Sequence, residues 1–585
     1  MDKNCIFLTN PAEVASYVAL ERRGIGFLPV AATKSVETLL RDKAIDCATP
    51  EGHFSESMQE EVLDRVLRQI QLIAKILESL QVPPGRQACI SLQLLFALSA
   101  FESRIAVANS LCCNAHELVE AKPLPLAFPV FSAKLISPMT GGRARAETPF
   151  LPLLNGFGTA CLLDMRANKA RTAPMPGLPR HIRLTAARNC SYTKALAKNT
   201  VQGVRAMLQN TQAARAVILP GKPIPSVAIE AALRPAIFAL TGNLKQAGAL
   251  AAYATLLLAV IEADSLAAGL LLDRYGKHLR LVVLDSPANT LEVALAEASR
   301  RRCIAVIEES HGAIVVYGGG NRQQAAAILA GGGYNWIPDA DWLVPRSPLQ
   351  TAGAPPKRLL KVNRMVAAYP RSAVTAGFKI LFAPNFVRWN IAIPALTATC
   401  FDIHAIAGHM VSVLARRPDL EMDMRIKLTT KDAPSAHEME IDRGLLPRDL
   451  ERFFSAAKNI RNASALSWPR LLSDCDLVVT EGVTSVMFEA LEHRKPVLLM
   501  NRSAKRVPSL PAWRLDELQK STGRNAVYAS SCEEDTEALL DAIIQRHHGK
   551  PLLDGELRQH CWVDEPKTGK HYLHSALGLL RQPNA

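Results

Sequence analysis

Five short, almost wholly apolar runs constrain this chain more than any other feature: Leu281–Leu284, Ile304–Ile307, Ile380–Ala383, Leu477–Thr480 and Val497–Met500. A strand wetted on one face alternates apolar with polar residues, whereas a strand covered on both faces reads as a continuous run. Most of these runs are followed by a stretch with helical spacing, such as Thr290–Arg301, Ile403–Leu414 or Ser485–Glu492. Strands alternating with helices imply parallel sheets covered on both faces. The expected fold class is therefore α/β, with doubly wound sheets.

The same grammar opens the chain. Cys5–Thr9 and Gly26–Val30 read as strands around a helix at Ala12–Leu20. A long helix follows, with Ser57 and Glu60 spaced as a capping box. Its apolar stripe is Val62, Val66, Ile70, Ile73, Leu77 and Leu80. A second alternating block starts at Lys379. It adds a strand at Met424–Leu428, helices at Pro447–Ala457 and Trp468–Ser473, and a last helix at Glu533–His547. Two blocks joined near Pro345–Pro370 suggest two domains, 1–365 and 366–585, facing each other across a cleft.

Charge is unevenly placed. The 585 residues hold 68 Lys and Arg against 54 Asp and Glu, a net charge of +14. Between Met165 and Ile229 there are eleven cations and no acid, inside a proline-punctuated segment of about 122–229 that reads as an insertion or subdomain. An acid-free block is an electrostatic footprint for phosphates, anionic lipid or nucleic acid, the plainer alternative being a solvated basic face with no dedicated partner. It holds one aromatic residue, Tyr192, so it offers no stacking platform, and nucleic acid is not the expected partner. Without Trp or Phe, adhesion through it would be electrostatic.

The twelve cysteines include no Cys-x-x-Cys, and the opening MDKNCIFLTNPAE has no apolar leader core. Both point to reduced thiols and a cytoplasmic protein, peripheral at the inner membrane face if the basic block adheres. Ala249–Leu272 is apolar, but Glu262 and Asp264 interrupt it, so it is expected to be a buried helix rather than a membrane span. No Walker A motif occurs, and no His/Cys set has zinc spacing, so neither metal nor cofactor is expected.

Chemistry concentrates in Leu471–Asn501. A buried strand, Leu477–Thr480, runs into the polar turn Glu481, Gly482, Val483, Thr484, and a helix opens at Thr484 or Ser485. Free N–H groups, the positive end of the helix dipole and two hydroxyls at the carboxyl end of a strand suit a diphosphate. Glu489 lies one turn deeper on the same face, able to accept from sugar or ribose hydroxyls. The plainer alternative is a capped helix with a solvated Glu489.

This segment resembles the nucleotide-binding half of GT-B glycosyltransferases, in particular the branch with CDP-glycerol glycerophosphotransferases and capsule or surface-polysaccharide transferases. Thr484, Ser485, Glu489, Ala490, Lys495, Pro496 and Val497 carry the likeness. Leu381–Trp389 is similar to that branch's first C-terminal strand and loop, which implies Asn385 and Arg388 near the donor phosphates. Cys303–Val315 places His311-Gly312 where relatives have their proposed general base, with Glu308 or Glu309 to orient it or replace it. An imidazole suits that task. Where many relatives carry His-Pro, this chain reads Ile426–Lys431, keeping Lys427. The resemblance spans roughly Leu279–Leu553. It implies a two-domain transferase moving a sugar or polyol phosphate from a nucleotide-activated donor, as substrate, to a glycan or lipid-linked acceptor. The rivals are a nucleotide-sugar epimerase of the same fold, a non-catalytic scaffold in polysaccharide assembly, and a nucleic-acid-binding protein that would use Met165–Ile229.

Overall fold

The computed structural model describes residues 3–9, 11–22, 26–117, 181–184, 216–219, 222–275, 281–284, 290–309, 320–329, 340–344, 358–359, 377–384, 399–426, 445–481, 484–501, 519, 523, 525–531, 535–548 and 550–552. Within them the chain is mixed α/β, built on three parallel sheets and one hairpin.

The first sheet has three strands, β1 (Lys3–Leu8), β2 (Leu28–Ala31) and β3 (Cys113–Glu117), with β1 in the middle and both pairings parallel. The helix Lys34–Asp42 follows β2. Its N-cap is Thr33, whose hydroxyl accepts from the Val36 N–H at 3.4 Å. The cap of the long helix Glu56–Ser79 lies two residues before the Ser57 expected. Ser55 is the cap, accepting from the Met58 N–H at 3.3 Å, while Ser57 bonds the Ser55 hydroxyl at 3.0 Å. The predicted stripe is buried from Val62 to Leu77.

The second sheet joins β4 (His181–Leu184), β7 (Leu281–Leu284), β8 (Ala305–Glu309), β9 (Trp342–Val344) and β10 (Arg358–Leu359) in chain order, all parallel. The hairpin β5 (Ala216–Leu219) and β6 (Lys222–Pro225) lies between β4 and β7 in sequence. The segment 122–229 read as an insertion thus contributes an edge strand to this sheet, since β4 pairs with β7 along its whole length.

Six helices form the layer beside these sheets. Glu56–Ser79 packs on Pro84–Ser110, and Leu244–Tyr275 packs on Ser226–Thr241, Thr290–Arg300 and Pro84–Ser110. Gly320–Leu329 covers the first two. Leu244–Tyr275 contains the stretch expected to be a core helix, and Leu250, Tyr253, Leu257, Leu258 and Ile261 on it are buried. Among the described residues one helix, Pro84–Ser110, is long and apolar enough to cross a membrane. Since 83% of its apolar window is buried inside the protein, it serves here as a core helix.

The third sheet carries six parallel strands: β11 (Phe378–Phe382), β12 (Leu420–Met424), β13 (Ile460–Asn462), β14 (Leu477–Thr480), β15 (Val497–Asn501) and β16 (Val527–Ser531). Their spatial order is β13-β12-β11-β14-β15-β16. The chain winds outward in one direction from β11, then returns to β11's other side at β14 and winds the opposite way. That reversal is the hallmark of a doubly wound sheet, and ligands bind such sheets in the crevice at the carboxyl ends of the strands flanking the reversal.

One strand departs from expectation. The strand expected at Met424–Leu428 comes earlier: β12 spans Leu420–Met424, and Lys427 and Leu428 lie outside the described residues. The sequence LEMDM lacks a continuous apolar run because Asp423 sits in it. Asp423 is buried there by pairing with Lys379 of β11 at 2.9 Å and with Arg461 of β13 at 2.7 Å. A charge satisfied by its strand neighbours costs the sheet little. The last helix also starts later than expected, at Thr536, with Asp535 capping the Ala538 N–H at 3.0 Å.

Candidate functional site

β11 and β14 flank the reversal point, and β12 lies next to β11. The residues that leave the carboxyl ends of these strands are Ala383, Arg425 and Glu481. The backbone knits the ends together: the Arg425 N–H donates to the Phe382 carbonyl at 2.8 Å, and the Ala383 N–H donates to the Val479 carbonyl at 3.1 Å.

On the β14 side, Thr480 is fully buried and its hydroxyl bonds the Glu481 carboxylate at 3.2 Å. The same hydroxyl meets that of Thr484 at 3.3 Å. Thr484 occupies the N-cap position of the helix Ser485–Glu492, with extended φ −127 and ψ 170, yet its side chain makes no capping bond. The plainer alternative, Thr484 as an ordinary cap, is therefore not what the structure shows. The hydroxyl faces back to the strand, and no Thr484 side-chain bond covers the N–H groups of the first turn. Met487, Ala490 and Leu491 fix this helix to the core.

On the β12 side stands a cluster that sequence reasoning missed. The Trp468 indole N–H donates to the Glu489 carboxylate. The Arg425 guanidinium lies over the Trp468 ring, 4.9 Å from its centroid. Burial pulls the Arg425 pKa down, and the Glu489 charge works against that shift. The Arg425 Nε is buried with no hydrogen-bond partner. Glu489 is thus not a solvated carboxylate. It orients an aromatic ring on which a cation rests, a geometry that holds the guanidinium by cation–π attraction. The signal was present in the sequence. Arg425 is the first residue after β12, but placing that strand at Met424–Leu428 hid it and put weight on Lys427 two residues later.

Lys495 matched the resemblance but works structurally. Its ammonium donates to the Cys475 carbonyl at 2.7 Å and to the Ser473 carbonyl at 3.3 Å, satisfying the end of the helix Trp468–Asp474.

The structure brings Glu481 and Thr484 together through Thr480, and places Glu489 with Arg425. His311, Asn385, Arg388 and Lys427 lie outside the described residues. Ser485 begins its helix and Glu309 ends β8. Glu308, beside it, is buried and pairs in register with Leu284 and Leu343, so β8 is an interior strand of its sheet. Among the described residues no three His, Cys, Asp or Glu side chains gather as a metal site.

No family model matches this chain, and no curated protein does. Solved structures resemble it at low similarity. S. aureus MnaA in complex with UDP is 10% identical, the likeness covering 52% of this chain and 76% of MnaA, with a TM-score of 0.32. Acinetobacter baumannii MurG is 12% identical, covering 55% and 78%, with a TM-score of 0.31. The spinosyn rhamnosyltransferase SpnG, complexed with spinosyn aglycone, is 14% identical, covering 49% and 71%, with a TM-score of 0.27. Glycosyltransferases are thus among the proteins this chain is similar to.

Proposed function

We propose that this chain is a GT-B-type glycosyltransferase whose nucleotide-activated donor binds at the carboxyl edge of the six-stranded sheet. The observation that carries the reading is the strand reversal between β11 and β14, with Thr484, Glu489, Trp468 and Arg425 gathered at the strand ends beside it. An aromatic-backed guanidinium and a helix start whose Thr484 hydroxyl is turned away suit a diphosphate, which needs several donors and positive charge in one place.

On this reading residues 366–585 hold the donor and residues 1–365 the acceptor. The leaving nucleotide would be stabilised by the helix opening at Thr484 and Ser485 and by Arg425, with Lys427 and Arg388 as further cations and Asn385 as a donor contact. His311 would remove the proton of the acceptor hydroxyl as it attacks, with Glu309 or the neighbouring Glu308 orienting the imidazole. The acceptor would be a surface-polysaccharide or lipid-linked glycan, as the sequence resemblance implies.

The test is a thermal-shift screen with UDP-, CDP-, GDP- and CMP-linked sugars, because a ligand that binds only the folded state raises its melting temperature. One donor should stabilise the wild type. Arg425→Ala should weaken that donor's affinity about 10–100-fold, the range for losing charge-assisted bonds to phosphate. His311→Ala should leave donor binding intact while transfer falls roughly 10²–10⁴-fold. No stabilisation by any of the four, or an unchanged affinity in Arg425→Ala, would overturn the site. Conversion of the donor without an acceptor would favour the epimerase.

A further inference from the structure

Among the described residues three large apolar side chains are exposed: Phe238 at 43%, Leu240 at 43% and Leu244 at 57%. They are not scattered. All three surround the turn between the helices Ser226–Thr241 and Leu244–Tyr275, which pack on each other as a hairpin. We propose that this turn is a membrane-docking tip that enters the interface of an anionic lipid bilayer.

Several polar groups of the turn are bonded within it. The Thr241 hydroxyl donates to the Ile237 carbonyl at 2.9 Å, and the Gly242 N–H donates to the Phe238 carbonyl at 2.8 Å. The Asn243 N–H donates to the Thr241 hydroxyl at 3.3 Å, and the Gln246 N–H donates to the Asn243 side-chain oxygen at 3.1 Å. Gly242 sits at φ +65, the left-handed region where a side chain would be strained, so the turn is tight. Each such bond lowers the cost of moving the turn into an apolar medium.

Charge is complementary to the same occupant. From Ala231 to Ile261 there is no acid, and Arg234 and Lys245 bracket the tip. The Arg234 guanidinium lies across the hairpin at Gly248, where an added Cβ would meet its Nη2 at 3.4 Å. Gly248 is four residues beyond Leu244, about 6 Å along the helix axis. An interfacial helix sinks about 5–10 Å, so with Leu244 inserted the guanidinium reaches the level of lipid phosphates. The eleven acid-free cations of Met165–Ile229 immediately precede this hairpin in the chain. The block holds no Trp or Phe, and the hairpin just after it presents Phe238 with two exposed leucines. A protein partner fits less well, since the three half-exposed side chains offer on the order of 250 Å², against roughly 800 Å² per partner in a specific protein interface.

The experiment is co-sedimentation of the full chain with vesicles of phosphatidylcholine alone or with about 30% phosphatidylglycerol, an anionic lipid. The wild type should pellet with the anionic vesicles and be released at about 0.5 M salt, where screening is nearly complete. The variant Phe238→Ser/Leu240→Ser/Leu244→Ser should keep its circular dichroism, because the positions are exposed, and bind at least about tenfold more weakly. Arg234→Glu/Lys245→Glu should weaken binding to anionic vesicles as well. Failure of the wild type to pellet, equal binding to neutral vesicles, or unchanged binding by the serine variant overturns the proposal. So does a wild-type dimer that the serine variant dissociates while vesicle binding is unaltered, which would make the occupant a second copy. None of these readouts involves a nucleotide, so failure here leaves the donor-site reading standing.

Discussion

Arg86→Met should be among the most damaging single substitutions in the helical layer. Arg86 is 1% exposed in the first turn of Pro84–Ser110. Its Nε donates to Glu297 at 2.8 Å, its Nη1 to Glu262 at 2.7 Å and its Nη2 to the Ser265 hydroxyl at 3.4 Å. Burial pulls its pKa down, but the bonds and charges of Glu297 and Glu262 outweigh that and leave it raised. One guanidinium thus ties three helices together. A methionine fills much of the volume but strips Glu262 of its guanidinium partner and leaves Glu297 only the exposed Arg301. Breaking a buried pair from one side costs about 3–5 kcal/mol. Set against a total stability of about 5–15 kcal/mol, that is a large share. The assay is urea denaturation followed by far-UV circular dichroism. The companion Arg86→Met/Glu262→Met/Glu297→Met removes the whole charged set and should recover most of the loss. A single variant within about 1 kcal/mol of wild type, or a triple variant worse than the single, would refute the reasoning.

Two further outcomes follow from specific contacts. Burial, then Lys34 and Arg452, depress the His404 pKa to about 4, and its ring packs 4.9 Å from that of Phe453. His404 stays neutral in the fold while the unfolded chain binds a proton near pH 6.5, so its contribution is present above that pH and is lost as pH falls toward 4. Over that window the loss should reach about 2–3 kcal/mol, and His404→Phe should flatten the pH dependence of unfolding. Thr484→Ala should cost the apo protein less than the roughly 1 kcal/mol of a lost cap, since its hydroxyl bonds Thr480 rather than the helix. Thr33→Ala, which does remove a capping bond, should show the full cost in the same melts.

Legibility from sequence followed a physical rule. Leu477–Thr480 and Ser485–Glu492 were read to the residue because the strand is apolar throughout and the helix begins after a polar turn. β12 was displaced because Asp423 breaks its apolar run and is neutralised only by residues far away in sequence. β13, three residues long and reading Ile-Arg-Asn, has no pattern to detect. The candidate site suffered the same way. Thr484 and Glu489 were found through local spacing, whereas the stacking of Arg425 on Trp468 joins residues that only the sheet brings together. The role of Lys495 depends on where the carbonyls of a preceding helix end, which spacing does not encode.

The contact between the helices Lys34–Asp42 and Pro447–Ala456 has a consequence in time. Thr38, on the helix Lys34–Asp42, donates to the Asp449 carboxylate at 3.1 Å, and Arg448 pairs with Asp42. Thr38 and Asp449 are 411 residues apart in the chain. At about 5–20 residues per second, a ribosome needs roughly 20–80 s to travel between them. Throughout that interval the nascent βα unit presents Thr38 and Asp42 without their partners. An early-made element completed by a late-made one gives chaperones a defined window in which this corner of the protein stays open.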